Sequence, residues 1–528
     1  MMMGQRKYPV GIQTFERIIR EGFVYVDKTN LVWQLAHYGT YIFMSRPRRF
    51  GKSLLTSTLH SYFAGQKELF EGLKIMEQES EWSEYPVMHL DLSEAKAQDS
   101  GAALRDKLSL LLKPYRKEYG DDPDEKTPGG MLSGLIRRAC EKTGKQVVVI
   151  VDEYDAPLLD ALHEDERLRD MRQVMQEFYQ PLKANERFVK FCFITGITKF
   201  SQLSIFSTIN NLTNVTMDPA FSAICGITEQ ELTNVLAEDI RLLADAYDET
   251  PEQMHARLKL QYDGYHFARH SDEIYNPFSL LKSFQQKEVA NYWFESGTPT
   301  FLIRQLQHFR TDITSLDEIE APAESFDIPT EAMLSALPLL YQSGYLTIKD
   351  YDREALMYRL AIPNQEVRTG YVKGLIPTYV GLDSGNVQAG FALRFWRSLK
   401  KGDIHLAMEE MKAFMAGVPY VEGFKKKLAD AATAEGFYEY TMYLIFSMLN
   451  VYARTQVKTA KGRTDVVVWM PDAIYVMELK VNDTAASALN QINERGYARP
   501  YETDGRKIVK VGIRFSPETM TVEEWAVE

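Results

Sequence analysis

From Tyr8 to about Cys225 the chain alternates short apolar runs with longer amphipathic stretches, the rhythm of a parallel sheet whose strands are joined by helices. Four runs predict strands, at Tyr41–Ser45, Pro86–Asp91, Val147–Asp152 and Val189–Thr195. Val147–Val151 is apolar at every position, as a central strand covered on both faces must be. From about Gly226 to Pro329 the pattern is mostly helical, interrupted by loops at Tyr262–Phe267 and Tyr275–Phe278. Residues 331–362 predict a helix, a stop at Ser343-Gly344, a strand at Tyr345–Ile348, a polar turn and a strand at Met357–Ile362. Helix plus β-hairpin outlines a winged-helix module and, equally, many unrelated packing units. A helical region follows Gly385, and a compact α/β segment runs from about Glu435 to the end. The expected domains are 1–225, 226–385 and 386–528.

The length of 528 residues fits two to four domains at roughly 150 residues each. Apolar residues make up 45% and charged residues 25%, which excludes wholesale disorder. Three cysteines exclude a disulfide scaffold and suit a reducing compartment. No apolar run approaches the ~18 residues of a membrane span, and no signal peptide is evident. A soluble, cytoplasmic protein without membrane partners is expected. The formal net charge of −12 argues against coating nucleic acid through many phosphate contacts. It leaves room for a local site, because metal-assisted phosphodiester cleavage concentrates carboxylates where it occurs.

Residues 41–55 read Tyr-Ile-Phe-Met-Ser-Arg-Pro-Arg-Arg-Phe-Gly-Lys-Ser-Leu-Leu. A strand, a tight loop, Gly51-Lys52-Ser53 and a helix-forming run are the setting of a phosphate-binding loop. Backbone N–H groups face the phosphates, Lys52 reaches the β/γ-phosphates and the Ser53 hydroxyl ligates Mg²⁺. Arg46 stands where the standard pattern has its opening glycine. With Arg48 and Arg49 it could supply charge to the phosphates, or one of the three could act at the transition state. About 100 residues on, the strand Val147–Val151 runs into Asp152-Glu153. In such ATPases the first acid holds Mg²⁺ and the second polarises the attacking water. A third strand ends in Thr195-Gly196, where a γ-phosphate-sensing residue would sit, although Thr-Gly is also simply a good turn. The extra strand Pro86–Asp91 is consistent with the ATPase branch that inserts a strand between the other two in the sheet.

The second constellation lies at residues 461–480. Val466–Trp469 and Ile474–Leu479 predict two strands joined at Pro471-Asp472. A two-residue turn there sets Asp465 across from Glu478, and the strand period of two puts Lys480 on the same face as Glu478. Two carboxylates beside one lysine are what metal-assisted phosphodiester cleavage requires: the acids hold a hard divalent ion, and the lysine positions or deprotonates water. No histidine or cysteine lies beyond His405, which leaves oxygen ligands and hence Mg²⁺ or Mn²⁺. An exposed cross-strand charge pair is the bland alternative.

The pattern Asp465…Glu478-Leu-Lys480, followed by Gln491 and Tyr497, resembles the PD-(D/E)XK nuclease superfamily. Specifically, it is similar to the domain that follows an AAA-ATPase-like domain in a large group of bacterial proteins. Tyr25-Val-Asp-Lys28, Arg46–Ser53, Val151–Pro157, Thr195-Gly196 and Tyr275–Ser279 match that group too, so the resemblance spans nearly the whole chain. It implies that Asp465 and Glu478 ligate metal, that Lys480 is catalytic and that Gln491 supports the site. It also implies a glutamate from the preceding helix, for which Glu435 and Glu439 are both candidates. The arginine at the first loop position is the family's own form. The implied fold is a P-loop NTPase sheet, a helical, winged-helix-like middle region and an α/β restriction-endonuclease-like domain at the C-terminus.

The expected function is an ATP-hydrolysing module governing a Mg²⁺-dependent nuclease, with ATP and DNA or RNA as partners and nucleotide-dependent self-assembly. The alternative is a nucleotide-dependent switch or scaffold whose C-terminal fold binds without cleaving. His266 and His270 are spaced four apart, but no glutamate follows His266, and helix packing is the expectation there. The basic run Lys425–Lys427 fits a solvated helix face better than a nucleic-acid track.

Overall fold

The computed structural model describes the chain apart from residues 1–5, 97–98, 160, 162–163, 200–211, 294–305, 307–308, 310–318, 330–332, 372–390, 392–393, 396, 417–451, 460–461, 471, 517 and 520. Two compact units divide it: Met1–Thr311 with Glu318–Glu366, and Asp312–Asp317 with Val367–Glu528.

The first unit is built on β1 (Tyr41–Ser45), β2 (Val87–Asp91), β3 (Val147–Asp152), β4 (Val189–Gly196) and β5 (Thr213–Asn214). These strands run in the order β2-β3-β4-β1-β5, all parallel. β1 and β3 are buried along their whole length, as their unbroken apolar sequences require. One core lies between the sheet and helices Gly101–Leu111, Pro128–Thr143 and Asp165–Ala184, and includes Leu104, Leu135, Val149, Met171 and Phe178. The strand between β1 and β3 is β4, the one carrying Thr195, while β2 lies at the edge. The extra strand predicted at Pro86–Asp91 therefore exists but flanks β3 on its outer side.

The middle of this unit is helical. Helices Glu229–Val235, Ala237–Ala246, Pro251–Tyr262 and Pro277–Gln286 pack around Leu232, Leu243, Leu258 and Leu280. The short strands β6 (Ile227–Thr228) and β7 (Ile274–Tyr275) pair antiparallel. Tyr275–Phe278 is a helix entry as much as a loop, because the Asn276 side chain accepts from the Phe278 and Ser279 amides at 3.0 and 3.1 Å and caps the helix that follows.

Beyond it, β8 (Ile319–Ala321), β9 (Thr347–Asp352) and β10 (Met357–Ala361) form a sheet in the order β8-β10-β9, with helix Leu337–Gln342 between β8 and the β9–β10 hairpin. The first hairpin strand begins two residues later than its sequence suggests. Leu340 O accepts the amides of both Tyr345 and Leu346, at 2.8 and 3.1 Å, so these two residues belong to the helix cap.

The second unit carries a five-stranded sheet of β11 (Tyr452–Thr459), β12 (Gly462–Trp469), β13 (Ala473–Lys480), β14 (Lys507–Ser516) and β15 (Thr521–Val527), in sequence order. Only β13 and β14 run parallel, and helix Ala485–Arg495 makes the crossover between them, as a parallel pair demands. Its Ile492 packs with Val467, Ile474, Val476 and Tyr497. Gly512 on β14 admits this helix: a Cβ there would lie 2.1 Å from Ala485 O and 2.6 Å from Leu489 N. Among the described residues, no helix is long and apolar enough to cross a membrane.

Candidate nucleotide and metal sites

The loop after β1 turns on two left-handed residues, Arg49 (φ 66°) and Gly51 (φ 94°). Such turns aim consecutive N–H groups into a concave, anion-accepting nest, and Gly51 takes this conformation without the penalty a side chain carries. Helix Lys52–Phe63 starts immediately behind it, so its unpaired amides and dipole face the same place. Arg48, Arg49, Gly51, Lys52, Ser53 and Glu153 all line one cavity of about 510 Å³. A smaller, mainly apolar pocket of about 90 Å³, walled by Val24, Val26, Val32, Ile224 and Ile227, shares Gly51, Leu54, Pro277 and Leu281 with it.

Asp152 closes the β3 end of this site. It is only 2% exposed, and Thr56 Oγ1 donates to its Oδ2 at 3.3 Å. Burial pushes its carboxyl upward, opposed by the Ser53 hydroxyl and the Lys52 ammonium; the serine, the lysine and the strand-end acid are thus neighbours. Lys52 Nζ lies 3.9 Å from Glu153 Oε1 and donates to Pro47 O at 3.2 Å. Glu153 itself is left-handed, φ 50°, a conformation costing a non-glycine about 1–2 kcal/mol and one that concentrates at functional sites. Thr195 sits at the β4 tip, buried, with an Oγ1 that has no hydrogen-bond partner among the described residues.

The three loop arginines part company. Arg46 is buried. Its guanidinium donates to Ser45 O, Thr216 O and Phe221 O at 2.9, 2.7 and 3.0 Å, and its Cζ lies 4.3 Å from the Phe267 ring centre. The structure does not bring it to the cavity with Arg48 and Arg49; it anchors the loop instead. Asp155 is a residue that motif spacing did not single out. Its Oδ2 accepts from Ile197 N, Thr198 N and Thr198 Oγ1 at 3.1, 2.7 and 2.6 Å, clamping the β3 tip to the segment after β4. Burial, then the neighbouring Glu153, push its carboxyl up to about 6. A further acid after Asp152-Glu153, leading directly into the apolar run Ala156–Leu159, was the available signal.

His266 and His270 do not share a helix. The first lies in the loop after helix Pro251–Tyr262, its amide donating to Thr347 Oγ1 at 2.8 Å. The second meets Arg353 at 2.8 Å. The packing expected of them is loop packing, because Gly264 (φ 94°) takes the chain out of the helix.

In the second unit the hairpin register runs Val466↔Met477, Val467↔Val476, Val468↔Tyr475 and Trp469↔Ile474. This is the register that places Asp465 beside Glu478; of the turn pair, Pro471 lies outside the described residues. Asp465 Oδ2 accepts the Leu479 amide at 2.8 Å. Glu478 is 2% exposed; its Oε1 accepts from Lys480 Nζ at 3.4 Å and from the Gln491 side-chain amide. Its Oε2 is buried and has no hydrogen-bond partner among the described residues. Burial, then Asp465, push the Glu478 carboxyl up to about 7, against the pull of Lys480. Asp465, Glu478, Lys480 and Gln491 are thus one cluster. A buried carboxylate oxygen left unpaired beside a second carboxylate is a donor set suited to a hard divalent cation. No group of three or more metal-ligating acids, histidines or cysteines occurs among the described residues. Glu435 and Glu439 lie outside them, as does the run Lys425–Lys427.

Residues 9–206 match the family model described as predicted AAA-ATPase, and residues 433–525 match that of the PD-(D/E)XK nuclease superfamily. The chain belongs to the family that joins an AAA-ATPase-like domain to a C-terminal domain of that superfamily. Over 540 aligned residues it is 34% identical to a protein of Azotobacter chroococcum mcd 1 described as "Uncharacterized protein in vnfD 5'region". The match takes in 100% of this chain and 99% of that one.

Proposed function

We propose that the protein is an ATP-governed nuclease that cleaves phosphodiester bonds of DNA or RNA with Mg²⁺, or Mn²⁺, at the second-unit cluster. The observation that carries the reading is the convergence of Asp465, Glu478, Lys480 and Gln491 on one point. Asp465 and Glu478 would hold the ion, with Glu478 Oε2 its most evident ligand. When bound, the ion supplies charge to a phosphate and lowers the pKa of water. Gln491 holds Glu478 through Oε1, and Lys480 would position the attacking water or take up its proton.

In the first unit, the triphosphate of ATP would fill the 510 Å³ cavity against Lys52, Arg48 and Arg49, with its base toward the apolar pocket. Ser53 and Asp152 would hold the accompanying Mg²⁺, Glu153 would polarise water, and Thr195 would lie near the γ-phosphate. Purified full-length protein incubated with Mg²⁺, ATP and DNA or RNA tests the reading. Cleavage is expected and is lost in Lys480→Ala; cleavage that survives this substitution removes the assignment.

A further inference from the structure

Asp155 joins the two strand tips that hydrolysis would use. It is completely buried. Its Oδ1 accepts the Ile197 amide at 3.3 Å, and its Oδ2 accepts from Ile197 N, Thr198 N and Thr198 Oγ1 at 3.1, 2.7 and 2.6 Å. Tyr154 adds two bonds between the same segments. Its amide donates to Thr195 O at 3.1 Å, and its hydroxyl donates to Thr198 O at 2.9 Å. Gly196 makes room for this packing, since a Cβ there would lie 2.4 Å from Asp155 Oδ1 and 2.6 Å from Tyr154 Cδ1. The segment so gripped is itself fixed on its far side. Lys199 N donates to Gln342 Oε1 at 2.8 Å, and Lys199 Nζ lies 3.0 Å from Asp327 Oδ2.

Glu153 is caught between anchors. Asp152 before it ends β3, and Tyr154 and Asp155 after it are bonded to the β4 tip and its continuation. A left-handed residue such as Glu153, φ 50°, persists only where its surroundings over-determine it, and these bonds do so. Resting on the ATP reading above, we propose that Asp155 is a positioning residue for hydrolysis, holding Glu153 in that conformation and in fixed relation to Thr195. In the step itself, the water oxygen bonds to the γ-phosphorus as its proton passes to Glu153. The bond from that phosphorus to the β,γ-bridging oxygen breaks, and the electron pair leaves with ADP. Asp155 touches none of these atoms. Lys52, Arg48 and Arg49, which would bind the triphosphate, stand on a different element, the loop and helix after β1. Loss of the Asp155 bonds therefore slows the chemical step and spares nucleotide affinity.

Three variants of the full-length protein test this, with turnover read by phosphate release and affinity by equilibrium dialysis of β,γ-imido-ATP, both in Mg²⁺. Asp155→Asn keeps the shape but turns one acceptor into a donor among N–H and O–H groups. Its turnover is expected to fall about 10²-fold, the cost of misplacing a reacting group by about 1 Å, while affinity stays within about 3-fold of the wild type. Thr198→Val deletes a single hydrogen bond to a charged group and should slow turnover about 10-fold. Thr198→Ser keeps the hydroxyl and should restore it. Wild-type turnover in Asp155→Asn overturns the positioning role, and so does an affinity that falls together with the rate. So does a Thr198→Ser as slow as Thr198→Val, and this pair decides the matter where Asp155→Asn does not fold. Each of these leaves the ATP reading standing. A wild type that binds nucleotide without turnover overturns the positioning role alone; one that binds none overturns both.

Discussion

Lys52 Nζ faces Glu153 Oε1 across 3.9 Å: the group proposed for the phosphates and the group proposed for water line one cavity together. Each offsets the other's charge while they remain paired. Glu153→Gln removes that pairing but keeps the side-chain shape. ATP affinity is expected to persist or tighten, while turnover falls by about 10²–10⁴-fold, the range a positioned general base contributes. Nucleotide titration alongside single-turnover hydrolysis checks it. An affinity lost together with the rate would make Glu153 a binding residue only.

Gln491 holds Glu478 by one carboxylate oxygen, and the other has no hydrogen-bond partner among the described residues. Partners that orient a ligand typically contribute 10–100-fold to metal affinity. Gln491→Ala should therefore weaken Mn²⁺ binding by that factor, read by paramagnetic relaxation of water protons, with little change in thermal stability. Unaltered Mn²⁺ affinity would remove Gln491 from the site.

Asp263 gives the first unit a pH dependence of its own. Burial pushes its carboxyl up to about 7. Lys259 Nζ opposes this from 3.7 Å, but also lies 3.3 Å from Glu273 and 3.9 Å from Glu229. Between about pH 4 and pH 7 the folded state keeps a proton that the unfolded chain has released, so stability falls as pH rises through that window. The full effect is on the order of 4 kcal/mol at most, from about 1.4 kcal/mol per pKa unit. Asp263→Asn should raise the melting temperature at pH 8 and flatten its slope between pH 5 and 8. A wild-type slope in the variant would place the titration elsewhere.

The long strands and the hairpin cluster were legible because their signals are local. β1 and β3 are unbroken apolar runs, and a two-residue turn with a period of two fixes which side chains share a face. β5 was not legible: two residues, Thr213 and Asn214, carry no periodicity, and they pair only because β1 offers an open edge. The roles of the loop arginines were hidden for a different reason. Arg46, Arg48 and Arg49 are chemically alike, and only the carbonyls of Thr216 and Phe221, about 170 residues away, draw the first one inward. Gly512 was equally silent, because its requirement comes from the backbone of helix Ala485–Arg495 packed directly against it.

Arg46 has a consequence for recognition. A glycine at the head of such a loop leaves the backbone free to sample many shapes, and a ligand must select one of them. Rooting that position in the interior settles the choice when the protein folds, so anion capture need not order the loop afterwards. The entropy that a mobile loop would surrender to its guest has already been given up to the fold.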